Sequence, residues 1–204
     1  KLITSQKTFI LTIFEKRVEE KDIPFFINLQ KHLHNKNIRC PKPIEDKKNN
    51  FINKIKNKNC LIMSFLEGEK IKTPSESHCE QLGFELAKMH ENTKDFHLKR
   101  NNSLNYMYFQ EIFEKCKKSN TANTEITKNI FNFKQINTYK DLFSPIQKEL
   151  DYLKKYWPIN LPQGIIHADL FKDNVFFLND KLTGFIDFYF ACNDYYAYEI
   201  AICA

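Results

Sequence analysis

Four polar side chains stand where apolar runs give way: His167, Asp169 and Asn174 after Ile165-Ile166, and Asp187 after Phe185-Ile186. The spacing is H-x-D-x-x-x-x-N followed by a strand-borne Asp, and the chemistry it suits is phosphoryl transfer. That reaction asks little covalent work of a protein; it asks for positioning and charge neutralisation. A carboxylate beside an acceptor hydroxyl, the role read for Asp169, orients it and takes its proton as the new bond forms. Magnesium prefers hard oxygen ligands with few of them from protein, which suits the carboxylate of Asp187 and the amide oxygen of Asn174. His167 reads as a brace for the loop rather than as a base. Any one of these residues alone would read as a turn former beside a buried strand. Four at this spacing favour a site.

The elements around them must present these groups together. Residues 177–185 read as a hairpin turning at Asn179-Asp180, which brings Asn174 and Asp187 towards one metal. Residues 8–14 read as a strand. Asp22 is expected to cap a helix over 24–35 whose inward face is Phe26, Leu29, Gln30 and Leu33. Pro41 and Pro43 force extended chain, and 51–55 and 60–66 read as antiparallel strands. Residues 63–66 would cross to a second lobe, where the backbone of Met63, Ser64 and Phe65 could meet an adenine edge; a plain core strand is the other reading. A helix over 75–91 has Cys79, Leu82, Phe84, Leu86 and Met89 as its apolar positions and ends at His90, read as structural. Further helices are expected over 106–118 and over 142–156, the latter with Ile146, Leu150 and Leu153 inward, and 119–129 reads as a surface loop. Past Asp187, residues 195–204 read as a helix capped by Asp194, with Glu199 in its first exposed turn. The alternative is that either acid bonds the catalytic loop or a substrate amine.

The 204 residues are 42% hydrophobic and 27% charged, enough for two lobes with a real core. No apolar run approaches membrane-spanning length and no signal peptide is visible, so a cytoplasmic protein without membrane partners is expected. The net charge of +6 is scattered lysine rather than a basic stripe interleaved with aromatics, which disfavours nucleic acid. Six cysteines show no C-x-x-C pair and no zinc spacing, and read as reduced, mostly packed thiols. Plentiful Lys, Asn and Ile against four Gly read as compositional bias. The chain starts on Lys1 directly before strand-like sequence and ends on an apolar run, so it is expected to be part of a longer protein.

With these residues on the page, the sequence resembles the aminoglycoside-phosphotransferase-like kinases, and within them the bacterial homoserine kinases of that fold. The resemblance rests on the catalytic motif and on Phe9-Ile-Leu-Thr-Ile-Phe-Glu-Lys-Arg-Val18, Cys40-Pro-Lys-Pro43, Ser64-Phe-Leu-Glu-Gly68, Leu82-Gly-x-x-Leu-Ala-x-Met-His90 and Ile186-Asp-Phe-Tyr-Phe-Ala-Cys-Asn-Asp194. It covers nearly the whole chain and is weakest over 119–139. It implies an α+β, two-lobed protein-kinase-like fold: a partial N-terminal nucleotide-binding lobe over 1–66, and a mainly helical catalytic lobe with a hairpin over 67–204. It also implies ATP and Mg²⁺ as cofactors and L-homoserine as the small-molecule substrate. The product would be O-phospho-L-homoserine, feeding threonine synthesis. Asp169 matches the catalytic base, His167 the loop brace, and Asn174 and Asp187 the metal ligands. The first phosphate-covering hairpin would precede Lys1, and the acceptor-shaping helices would follow Ala204. The usual phosphate-binding Lys position falls near Thr12, leaving Lys16 or Arg17 as candidates, and its usual acidic partner falls near Phe26. The alternatives are a kinase of the same fold acting on choline, a sugar or an aminoglycoside, and a non-catalytic relative, against which the intact Asp169, Asn174 and Asp187 argue.

Overall fold

The computed structural model describes residues 1–15, 18–118 and 140–204, with Lys140 and Asp141 described by backbone alone. Packing divides the chain into two units, Lys1–Asn102 with Leu161–Ala204, and Ser103–Asn160. The expected lobe boundary after Leu66 falls inside the first unit, where one buried cluster draws on residues from both sides of it.

The first unit opens with strands β1 (Leu2–Ile3) and β2 (Thr8–Ile13), then a 3-10 turn Glu20–Asp22 and helix α1 (Ile23–Asn35). Strands β3 (Pro43–Ile44), β4 (Asn53–Ile55) and β5 (Lys58–Ser64) follow. Five strands form one sheet in which β5 is central, paired antiparallel with β2 on one side and with β3 and β4 on the other. The tight turn between β4 and β5 uses Lys56 and Asn57, both at positive φ, as a hairpin of matching twist requires.

Helix α1 buries the expected Phe26, Leu29, Gln30 and Leu33, each large apolar side chain contributing about 1.5–3 kcal/mol. Its end is a Schellman motif: Asn37 adopts φ +57°, Ile38 N–H donates to Leu33 O at 2.9 Å, and buried Ile38 packs in the same cluster as Leu33. Its start departs from expectation. Asp22 occupies the cap position but its side chain makes no capping bond; the carboxylate is engaged by Arg100 instead.

Strand β6 (Glu69–Lys70) leads to α2 (Glu76–Asn92), which begins with a reciprocal capping box. Ser75 Oγ accepts the His78 N–H at 3.4 Å, and the Ser75 N–H donates to His78 Nδ1 at 3.0 Å. Leu86 and Met89 face the core, but Phe84 is 70% exposed and Cys79 is also exposed. Phe84 lies two residues from Leu82 and two from Leu86, on the opposite side of a helix from both.

After residue 160 the first unit resumes with β7 (Gln163–Ile166), β8 (Val175–Leu178), β9 (Lys181–Phe185), a 3-10 turn Phe188–Phe190 and β10 (Cys192–Tyr195). Strands β6, β8 and β9 form one small antiparallel sheet, and β7 pairs with β10, Ile166 opposite Cys192. The β8–β9 turn is the expected Asn179-Asp180, at φ +50° and +58°. Gly184 in β9 has φ +146°, and a Cβ there would stand 2.3 Å from Arg39 O. The final helix starts at Tyr196, because 192–195 are taken into the strand pair.

The second unit contains helices α3 (Tyr106–Lys118) and α4 (Lys140–Tyr156), and α5 (Tyr196–Cys203) closes the first. Phe113 and Leu150 are buried, and the Phe113 and Phe143 rings meet edge to face at 5.6 Å. Pro145 lies inside α4, forfeiting one helical hydrogen bond. The loop expected over 119–129 lies outside the described residues.

Candidate active site

The chain leaves β7 through His167 and turns at Ala168, which takes the left-handed φ of +62° and presents Asp169. A non-glycine residue holds that conformation only if its surroundings fix it. Here a fully buried carboxylate does so: Glu199 on α5 accepts the backbone N–H groups of both His167 and Ala168, the latter at 3.1 Å. Among the alternatives for Glu199, the exposed turn is therefore wrong and the loop contact is right. A single acid in the apolar run Tyr-Ala-Tyr-Glu-Ile-Ala-Ile-Cys was the signal available for this. Asp194 does not cap α5 either. Its Oδ2 accepts from Asn102 Nδ2 at 2.6 Å and its Oδ1 from the Tyr195 N–H at 2.7 Å.

His167 is fully buried, with Nε2 2.8 Å from Ile186 O. A carbonyl only accepts, so Nε2 carries the proton and Nδ1 is left as an acceptor with no partner among the described residues. Burial holds the imidazole below its ordinary pKa, against the opposing pull of Glu199, the Ile186 carbonyl, Asp169 and Asp187. A neutral, buried ring fits the brace read from the sequence. His90 lies in the last turn of α2, which runs on to Asn92, and stacks on Tyr196 at 4.2 Å with its Nε2 3.7 Å from Glu199 Oε2.

Asn174, just before β8, ties the segments together. Its Nδ2 donates to Asp169 O at 2.7 Å and to Asp169 Oδ2 at 2.9 Å, while its backbone oxygen accepts the Ile186 N–H at 3.0 Å. Ile186 is thus gripped by His167 and Asn174, and its neighbour Asp187 is carried with it at φ +64°. Burial pushes the Asp169 carboxyl above its ordinary pKa, and the Asp187 charge adds to that. Helix α2 braces the hairpin: Gln81 Nε2 donates to Asp180 O at 3.0 Å and Gln81 Oε1 accepts from the Leu182 N–H at 2.9 Å.

These residues fit a magnesium ion. With Asn174 Nδ2 directed at Asp169, the amide Oδ1 of Asn174 is the atom left for a cation, and Asp187, next to the Ile186 that Asn174 O holds, offers a carboxylate. Among the described residues no three His, Cys, Asp or Glu form a metal-holding group. A two-ligand protein site completed by water and phosphate oxygens is what Mg²⁺ commonly uses.

The structure brings His167, Asp169, Asn174 and Asp187 together and leaves the expected nucleotide residues on the large sheet. Met63 is buried between Ile10 and Pro43, and Ser64 donates its N–H to Lys42 O at 2.8 Å. Phe65 lies past the end of β5. Lys16 and Arg17 lie outside the described residues. Thr12 receives a hydrogen bond from Tyr189 Oη at 3.3 Å.

A model of the phosphotransferase enzyme family (APH) matches residues 1–204. Curated relatives include a homoserine kinase of Bartonella tribocorum, 43% identical over 99% of this chain and 59% of its own length. Another, from Parvibaculum lavamentivorans, is 42% identical over 99% of this chain and 58% of its own. The chain therefore spans somewhat over half the length of these relatives. Among solved structures, a spectinomycin phosphotransferase in complex with ADP and spectinomycin aligns with a TM-score of 0.70 at 15% identity, covering 98% of this chain and 62% of that one. An amicoumacin kinase in complex with AMP-PNP and Ca²⁺ aligns at 0.69 and 16%, covering 96% and 56%. These likenesses bear out the α+β, protein-kinase-like fold. Among the described residues no helix is long and apolar enough to cross a membrane.

Proposed function

Because the chain belongs to the phosphotransferase enzyme family, we propose that it carries the catalytic centre of an ATP- and Mg²⁺-dependent kinase that phosphorylates the side-chain hydroxyl of L-homoserine. The product is O-phospho-L-homoserine, an intermediate towards threonine. The observation that carries the reading is the bond between Asn174 Nδ2 and Asp169 Oδ2, with Asn174 O also holding Ile186 beside Asp187. One residue, through its side chain and its backbone, thus links the base candidate to the segment that carries the second metal-ligand candidate. The substrate is supported by the relatives that bear the homoserine kinase name.

In this reading Asp169 orients the acceptor hydroxyl and takes its proton as oxygen attacks the γ-phosphorus and the bond to the ADP leaving oxygen breaks. Asn174 Oδ1 and the Asp187 carboxylate would hold Mg²⁺, which when bound would neutralise phosphate charge. His167 keeps Ile186 in place and stays neutral. Residues 1–66 are assigned to the nucleotide-binding lobe and 67–204 to the catalytic lobe, with Met63, Ser64 and Phe65 assigned to the base and Lys16 or Arg17 to the phosphates. The activity is assigned to the cytoplasm.

An ADP-release assay on the full-length protein with homoserine, choline and kanamycin tests this. Turnover with homoserine above the other alcohols is expected. Silence with homoserine alongside turnover of another alcohol would move the substrate assignment and leave the kinase reading standing.

A further inference from the structure

Arg100 belongs to no helix or strand and was singled out by no motif, yet its guanidinium is shared between two distant segments. Its Nε donates to Asp22 Oδ2 at 2.6 Å, with the two side chains only 13% and 18% exposed. Its Nη1 lies 3.2 Å from both Phe190 O and Ala191 O, the carbonyls that follow the Asp187 turn. Its backbone is fixed as well. Arg100 N–H donates to Asn193 Oδ1 at 2.9 Å, and Asn193 N–H donates to Arg100 O at 2.7 Å. The guanidinium carbon also lies 5.1 Å from the centre of the Phe26 ring, on the first turns of α1.

The other partner shows what this tie displaces. Asp22 is the residue type that caps helices and stands at the cap position of α1, but its side chain makes no capping bond. Forgoing a cap costs about 1 kcal/mol, and the carboxylate is engaged with Arg100 instead. Between the two tied segments, the Tyr189 ring packs edge-on against Phe14 at 5.1 Å and Phe26 at 5.7 Å.

We propose that Arg100 is a positioning residue: through Asp22 and the Phe190 and Ala191 carbonyls it locks the Asp187 turn to the start of α1, and so sets the affinity of the site for metal-bound nucleotide. This rests on the reading of Asp187 as a metal ligand. An ammonium would keep the charge but could not serve a carboxylate and two carbonyls with a rigid fork.

The test measures AMP-PNP affinity of the full-length protein with and without Mg²⁺, for Arg100→Lys, Asp22→Asn, their combination and Asp187→Asn. The two single variants should each shrink the Mg²⁺-dependent gain in affinity by about three- to thirty-fold, leaving metal-free binding unchanged. The double variant should be no worse than the poorer single, as for one shared link. Folded variants that melt earlier but keep the full gain would make the tie a stability feature only and overturn the proposal. If Asp187→Asn abolishes the gain and the tie variants do not, the tie alone fails. If Asp187→Asn keeps the gain, the metal assignment fails and the proposal with it.

Discussion

Glu199 and Ala168 are joined by a 3.1 Å hydrogen bond from a backbone N–H to a carboxylate that has no solvent exposure. The bond holds a non-glycine residue at φ +62° directly before Asp169. The direction of the base candidate thus depends on an acid thirty residues along the chain.

Glu199→Gln keeps the shape but can face only one of the two N–H groups with oxygen. The other meets an amide NH2 and stays unpaired, a loss of about 1–3 kcal/mol. Thermal denaturation should show a lower melting temperature, and turnover should fall while metal-free nucleotide affinity stays near wild type. Unchanged turnover in a folded variant would remove Glu199 from the positioning of Asp169.

Asp169→Asn should lower turnover by about 10²–10⁴-fold. The wild-type rate should fall on the acid side at a pH above the ordinary carboxylate value of 3.8, because the folded pKa is raised and the charged form is the base. The stability sign runs the other way. A raised folded pKa favours the protein below the unfolded value, and that contribution is lost as pH rises through the folded pKa. Asp169→Asn should therefore melt no earlier than wild type at pH 7. An earlier melt would contradict the burial argument.

His167 is held below its ordinary value of 6.5, so it contributes stability above that pH. The contribution is lost as pH falls from the unfolded pKa through the folded one. Melting curves between pH 7.5 and pH 5 (chosen to bracket about 6.5) should steepen on the acid side in wild type and flatten in His167→Gln. Identical slopes would show that this ring does not titrate on unfolding.

Two glycines should respond in opposite directions to alanine. Gly184→Ala forces a Cβ against Arg39 O at φ +146° and should destabilise by about 1–3 kcal/mol, read by urea denaturation. Gly83 lies exposed within α2, and a Cβ there would meet nothing within 4 Å, so Gly83→Ala should stabilise by about 0.5–1 kcal/mol. A neutral Gly184→Ala would mean that Arg39 yields.

The candidate site residues were legible because each polar group interrupts an apolar run, and the period of α1 exposed its buried face in the sequence. Helix α3 matches its expected bounds, Tyr106–Lys118. What stayed hidden depends on partners far along the chain. Strand β10 exists because Cys192 finds Ile166, and local propensity carries no trace of that pairing. Asp22 had every local mark of a cap and was claimed by Arg100. Phe84 counts among the apolar positions of α2 by residue type, although its angular position puts it outside.

With four glycines, this chain turns repeatedly in the left-handed region on asparagine: Asn37, Asn49, Asn57, Asn160 and Asn179 all have positive φ. Asparagine tolerates that geometry with a small penalty and, unlike glycine, roams far less once denatured. What composition alone presented as a bias becomes thermodynamic ballast. Each such asparagine trades a little backbone strain in the native state for a denatured ensemble with fewer conformations to win back.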